Sequence, residues 1–445
     1  MGIFNAMQTA VSGMQVQGYS LDNISANIAN SQTIGYKRIE TNFRDLIPNM
    51  NSTMQQVGGV GATSTATNQI GGAFRSTGNP TDLALSGNGY FVVSSKSGDA
   101  NSVSNFGPAN LYTRRGDFRL DKNNNLVNGA GFYLTGYSID PTSGVVSSGT
   151  PSTIQVPTTD LAPKATSKIT YSGNLPKTPS YQATGGSLIA PAAAGTNVTA
   201  ANEQSFLSRS IAGGAVTVYD SAGNASTVQM RWAKTSDAND SATPPVTAKW
   251  DLYYLSDSKA TGTNPKWTSL GNLSAFNEAG ALQSSTSATL SMTVDGKALS
   301  SMTIDLTGLT QYGDTNGTFR QTNLDQDGHS SATVTGVSIG DQGRVYAKYS
   351  NGMQIAVADI AVAHFNGEDN LKRLDGGIYE QTEQSGEAIY GLNGANIVSG
   401  GVEASNADIS QEFTLMISTQ QAYTANAKVI SAAQQMMTDA VNIIH

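Results

Sequence analysis

The sequence predicts a mixed, multidomain protein: N- and C-terminal α-helices forming a coiled-coil-like inner domain, with two mainly-β domains inserted between them. Three observations lead there. Apolar residues recur with a heptad period at both ends of the chain. Between the ends, short alternating runs are bounded by Asn-Gly and Asp-Gly turns, a hairpin signal. At 445 residues the chain is also long for one domain.

In the opening segment Phe4, Met7, Val11, Met14, Gly18, Leu21, Ser25 and Ile28 follow in alternating steps of three and four, a stripe on a helix. Gly13 and Gly18 weaken it by about 1 kcal/mol each relative to Ala. The helix is expected to stop near Asn30, where residues 31–35 carry turn chemistry.

The C-terminal segment has neither Gly nor Pro from Asn406 to His445. Ile409, Met416, Tyr423, Ile430, Met437 and Ile444 recur every seventh residue, and Phe413 follows Ile409 by four. Ser405 and Asp408 have the spacing of a capping box. A helix of this length spans about 55 Å. The polar positions of both helices are Ser, Gln, Thr and Asn rather than Glu and Lys. Such faces suit a second layer of helix contacts made by other copies of the chain. An intramolecular helical hairpin would use the same stripes.

Residues 49–72, rich in Gly, Ser, Thr and Gln, read as a linker or extended arm. Strand signals follow: Leu83 and Leu85, then Tyr90 to Val93, and a hairpin around Asn128-Gly129. Another hairpin is expected around Asn351-Gly352. The centre alternates at Val216 and Val218, at Val228, Met230 and Trp232, and at Trp250, Leu252 and Tyr254, with a hairpin at Asp295-Gly296. The expected domains are 1–70 with 404–445 (helical, with the linker arm), 71–160 with 335–403 (a discontinuous first β-domain), and 161–334 (an outer β-domain).

Composition narrows the function. Charged residues make up 13% of the chain, about half the usual quarter. The net charge is −8 and no basic stripe exists, which argues against nucleic acid. The absence of cysteine excludes disulfides, thiol catalysis and zinc-thiolate sites, and it suits a chain that leaves the cell. No signal-peptide pattern is visible and no apolar run is long enough to insert in a membrane, so export would use a route that reads neither. His329, His364 and His445 have no partner at metal-ligand spacing. The segments starting at Asp121 and Asn323 imitate calcium loops but lack the bidentate acid at position twelve. Asn/Asp turns explain them better. No catalytic, cofactor or metal residues are assigned, and no enzymatic activity is expected.

The segment 26–38 ("ANIANSQTIGYKR"), the runs 71–93 and 112–137, the turn "VYDSAGN" at 218–224, and 402–430 together resemble the bacterial flagellar hook proteins, within the wider family of axial rod and hook components. The resemblance implies a structural subunit that self-assembles into the hook, the curved hollow tube acting as universal joint between motor and filament. The terminal helices would line the inner tube, and the stripe residues named above would form its helical seam. Gly35, Tyr36 and Lys37 would make the turn out of the first helix towards the linker. Implied partners are other copies of the chain, the rod, hook-cap and hook–filament junction proteins, and the flagellar type III export apparatus. The implied location is the extracellular hook. A distal rod protein of the same family is the nearest alternative. A secreted β-rich adhesin or glycan-binding protein using Trp232, Trp250 and Trp267 is an alternative of another class.

Overall fold

The computed structural model describes residues 3–46, 58–100, 103–108, 110–141, 143–188, 196–284, 286–299 and 301–444. The chain divides into two compact units: Met1–Thr158, Val334–Lys348 and Gly352–His445 form one, and Thr159–Thr333 with Tyr349–Asn351 the other.

The first unit holds both terminal helices, Ile3–Ala29 and Ile409–Ile444. The N-terminal helix ends where the turn residues begin. Asp408 caps the C-terminal helix, its Oδ1 accepting from the amides of Ser410 (2.7 Å) and Gln411 (3.2 Å). The expected capping box is therefore displaced: Ser405 Oγ accepts from Ala407 N in the preceding turn. The helices run antiparallel, with Asn27 beside Glu412 and Gly13 against Asn426.

The described part of the expected linker carries the second strand of a hairpin. Ile39–Asp45 pairs antiparallel with Val60–Ala66 in unbroken register. Residues 49–57 of the linker reading lie outside the described residues. The strand Val60–Ala66 escaped notice because it has no large alternating side chains. Its Val and Thr nonetheless favour an extended backbone.

The rest of this unit is a large antiparallel sheet whose central strands are Tyr133–Ser138, Tyr90–Ser94 and Leu111–Thr113. Its core stacks Tyr90, Tyr112, Phe365 and Tyr379, with ring centroids 4.7 Å apart for Tyr112–Phe365 and 5.1 Å for Tyr90–Tyr379. The returning chain pairs strand Gly401–Glu403 with Phe74–Ser76, and Asn396–Ser399 with Leu83–Ser86. That return places residues more than 300 apart in sequence beside the exit of the first helix.

The second unit packs two five-stranded sheets around one core. One is the meander Ile211–Tyr219, Ala225–Ser236, Ala248–Leu255 and Pro265–Phe276, extended by Val198–Thr199. The other is built on Lys168–Pro176, which lies parallel to Met302–Asp305 and Leu309–Tyr312 and antiparallel to Arg320–Gln326. Trp232 and Trp250 are fully buried and Trp267 is 5% exposed. The tryptophans are therefore core, which removes the exposed aromatics that the glycan-binding alternative needed. The calcium-like segment at Asp121 closes as an Asx turn, Oδ1 accepting from the amides of Asn123 and Asn125 at 2.8 Å.

Candidate self-assembly surface

Small and polar residues, with Val16 and Ile24, make the inner face of the helix pair. The N-terminal helix buries Ala10, Val16, Ser20, Ile24 and Asn27. At about 100° per residue, these lie roughly a third of a turn from the predicted stripe. Of that stripe, Met7, Met14, Leu21 and Ile28 are half-buried, Val11 is exposed and Phe4 is 72% exposed. The reason is steric and polar. A Cβ on Gly13 would stand 2.8 Å from Asn426 Nδ2, so the helices approach closely there. The hairpin takes the neighbouring face through Tyr19 OH to Ser64 Oγ (2.6 Å) and Asn23 Nδ2 to Thr41 Oγ1 (2.8 Å). The apolar side chains of the predicted stripe are left at the flank.

The C-terminal helix turns Glu412, Thr419 and Ala433 inward as buried residues, with Met416, Ile430 and Met437 half-buried beside them. A strict heptad drifts about 20° per repeat on a straight helix. The drift carries Ile430 and Met437 towards the seam; Ile409, Phe413 and Tyr423 are exposed at its edge, and half-buried Met416 does not follow the drift. Ile444 ends the helix, and its side chain lies outside the described residues. On the opposite edge runs a second heptad series that sequence reading missed: Leu415, Ala422, Val429 and Met436. All but the half-buried Ala422 are exposed. The helix therefore carries an apolar edge on each side of its intrachain seam. Between Ile3 and Ala29 the only charged residue is Asp22, and between Ile409 and Ile444 only Glu412, Lys428 and Asp439 are charged.

The exit turn is the other predicted element, and it is buried. Gly35 has φ +68°, and a Cβ there would lie 2.7 Å from the Arg114 carbonyl carbon, so this position needs glycine twice over. Gly35 N donates to the Glu403 carbonyl at 2.8 Å. Lys37 is fully buried, with Nζ 2.6 Å from Glu403 Oε1 and 2.7 Å from the Ile70 carbonyl oxygen. Arg114 Nη1 reaches the other Glu403 oxygen at 3.2 Å, and Gly72 N donates to Oε1 at 2.8 Å. Burial pulls the Lys37 ammonium down from its ordinary range, against the attraction of Glu403. Tyr36 OH donates to Asn27 Oδ1 (3.2 Å), and the Arg373 guanidinium covers its ring at 5.0 Å. Asn406 accepts from Arg38 N (2.7 Å) and donates to Thr67 and Ile70. The turn thus leads into the hairpin instead of a free linker, and it is clamped by the returning chain.

Glu403, Arg114, Asn27, Asn406 and Glu412 were not read as a group from the sequence. The signal available was scarcity: in arms so poor in charge, Glu412 and the Lys37-Arg38 pair stand out. Among the described residues no helix is long and apolar enough to cross a membrane.

Family models match along the whole architecture. Residues 7–37 match the flagella basal body rod protein, and 84–174 the D1 domain of flagellar hook protein FlgE/F/G. Residues 212–329 match the flagellar basal body protein FlaE D2 domain, and 398–443 the C-terminal region of flagellar basal body rod FlgEFG proteins. The chain is 29% identical to the flagellar hook protein FlgE of Salmonella typhimurium over 98% of each chain. It is 30% identical to that of Rhizobium meliloti over the full length of both. Among solved structures, flagellar hook protein FlgE2 of Helicobacter pylori has the same fold, with TM-score 0.50 and 16% identity, covering 73% of this chain and 98% of that one. With its paired terminal helices and β-rich middle, this chain belongs to the flagellar hook protein family.

Proposed function

We propose that copies of this chain polymerise through their terminal helices into the curved hollow tube of the hook, a universal joint between rod and filament. The observation that carries this reading is the C-terminal helix with an exposed apolar edge on each side of its own seam. One edge for each neighbour lets identical copies join side by side, and a repeated heterologous contact generates a ring if its rotation closes and an open helical filament if it does not. The polar faces lack the charges that would hold such contacts rigidly. The predicted seam residues divide accordingly: Met416, Ile430 and Met437 serve the intrachain pair, while Phe4, Val11, Ile409, Phe413 and Tyr423 face other copies.

On this reading the protein has no catalytic role. Its remaining partners are the rod, the hook cap, the hook–filament junction proteins and the type III export apparatus, which would deliver it outside the cell without signal cleavage. The D2-domain match across the central unit favours hook over distal rod, whose members usually lack so large an insertion. Electron microscopy of the concentrated full-length protein tests the reading. Tubes of uniform diameter are expected, and a protein that stays monomeric at concentrations where the fold is intact overturns it.

A further inference from the structure

The cluster beneath the exit turn contains more charge than its pairing uses. Glu368 is 4% exposed, and both Arg114 and Lys37 act on it electrostatically. Its backbone oxygen accepts from Asn68 Nδ2 at 2.7 Å, but its Oε2 has no hydrogen-bond partner. Arg114 Nε has none either. Arg114 is 2% exposed; its other nitrogens hold Glu403 and the carbonyl oxygens of Leu85 (3.2 Å) and Gly87 (2.7 Å), and its guanidinium lies 5.4 Å from the Tyr90 ring centroid. A buried donor and a buried acceptor, oppositely charged and left over in one cluster, are costly where each stands. They satisfy each other in any arrangement that brings them together.

We propose that Glu368 is a second seat for Arg114, making the cluster a two-position ionic switch. In the position seen here, Glu403 holds Lys37, Arg114 and Gly72 N together. In the other, Arg114 turns to Glu368 and releases Glu403 Oε2, which frees the carboxylate to swing away from Gly72 N, held now through Oε1. Those contacts set how the helical arm leaves the sheet. Two arm positions of similar energy are what a curved tube requires, because copies on its inner and outer sides are not equivalent; this consequence rests on the proposed assembly. Burial raises the Glu368 carboxyl above its usual range, an unfavourable state that pairing with Arg114 relieves. Packed elements move between discrete arrangements rather than deforming continuously.

Amide hydrogen exchange on the unassembled full-length chain tests the switch whether or not tubes form. The variant is Glu368→Leu, with Glu368→Met used if leucine impairs folding; neither side chain offers an oxygen to the Arg114 guanidinium. Exchange at Gly72 is expected to slow relative to the natural chain, because excursions to the second position are lost, while Val228 in the central unit stays unchanged. A side chain that merely supports the cluster predicts the opposite sign. Unchanged or faster exchange at Gly72 in the folded variant overturns the proposal.

Discussion

Replacing Glu403 with Ala separates a buried ionic clamp from an ordinary salt bridge. The carboxylate is 3% exposed and faces Lys37 Nζ at 2.6 Å, Arg114 Nη1 at 3.2 Å and the Gly72 amide at 2.8 Å. Truncation leaves two buried cations without their carboxylate. Removing one partner of a buried pair costs about 3–5 kcal/mol, mostly for stranding the other. An exposed pair contributes about 0–1 kcal/mol. At roughly 2–4 °C per kcal/mol for a domain of this order, the first unit should melt about 6–20 °C lower. The chain supplies its own internal control. All three tryptophans, Trp232, Trp250 and Trp267, lie in the second unit. Their fluorescence reports that unit alone, while helical circular dichroism follows the terminal helices. The expected result is a large fall in the dichroism midpoint with the fluorescence midpoint unmoved. Glu380→Ala, which breaks the exposed Lys372–Glu380 pair, should move neither. A loss below about 1 kcal/mol for Glu403→Ala would refute the clamp.

Two substitutions one residue apart on the C-terminal helix should behave differently. Val429→Asp, on the exposed edge, should leave the monomer's melting within about 0.5 kcal/mol yet abolish tubes in electron microscopy. Ile430→Asp, on the half-buried seam, should weaken the helix pair itself by several kcal/mol, read by circular dichroism. In the second unit, Trp232→Ala removes the stacking on Tyr171, centroids 5.7 Å apart, and the 2.9 Å bond from its indole to the Tyr171 hydroxyl. It should cost about 3–5 kcal/mol in urea melts followed by the remaining tryptophans. Asp305 is held down to about 2 by hydrogen bonds from Thr307 and Lys168. Because its folded value lies below the unfolded one, its contribution is full above about pH 4 and fades as pH falls through about 2. Asp305→Asn should flatten that part of the acid-melting profile.

The sequence by itself determined the architecture. Heptad periods specify the terminal helices, helped in the second by the missing Gly and Pro, because a helix is encoded by neighbours three and four residues apart. Alternation around Asn-Gly and Asp-Gly turns specifies hairpins for the same local reason. Residues 26–38, 71–93, 112–137, 218–224 and 402–430 in combination pointed to the family. Only the tertiary structure decided which helix faces are used. A period locates a stripe, but close approach at Gly13 and the hairpin's bonds to Tyr19 and Asn23 selected a different inner face on the first helix. The strand Lys168–Pro176 was equally hidden, because its parallel neighbours lie more than 120 residues away and leave no local signature. The clamp was hidden most of all. Lys37, Arg114, Glu368 and Glu403 are spread along the sequence, and only Lys37 stands out there. Their partnership exists because the returning strand brings Glu403 under the exit turn, where burial makes every charge depend on its neighbours.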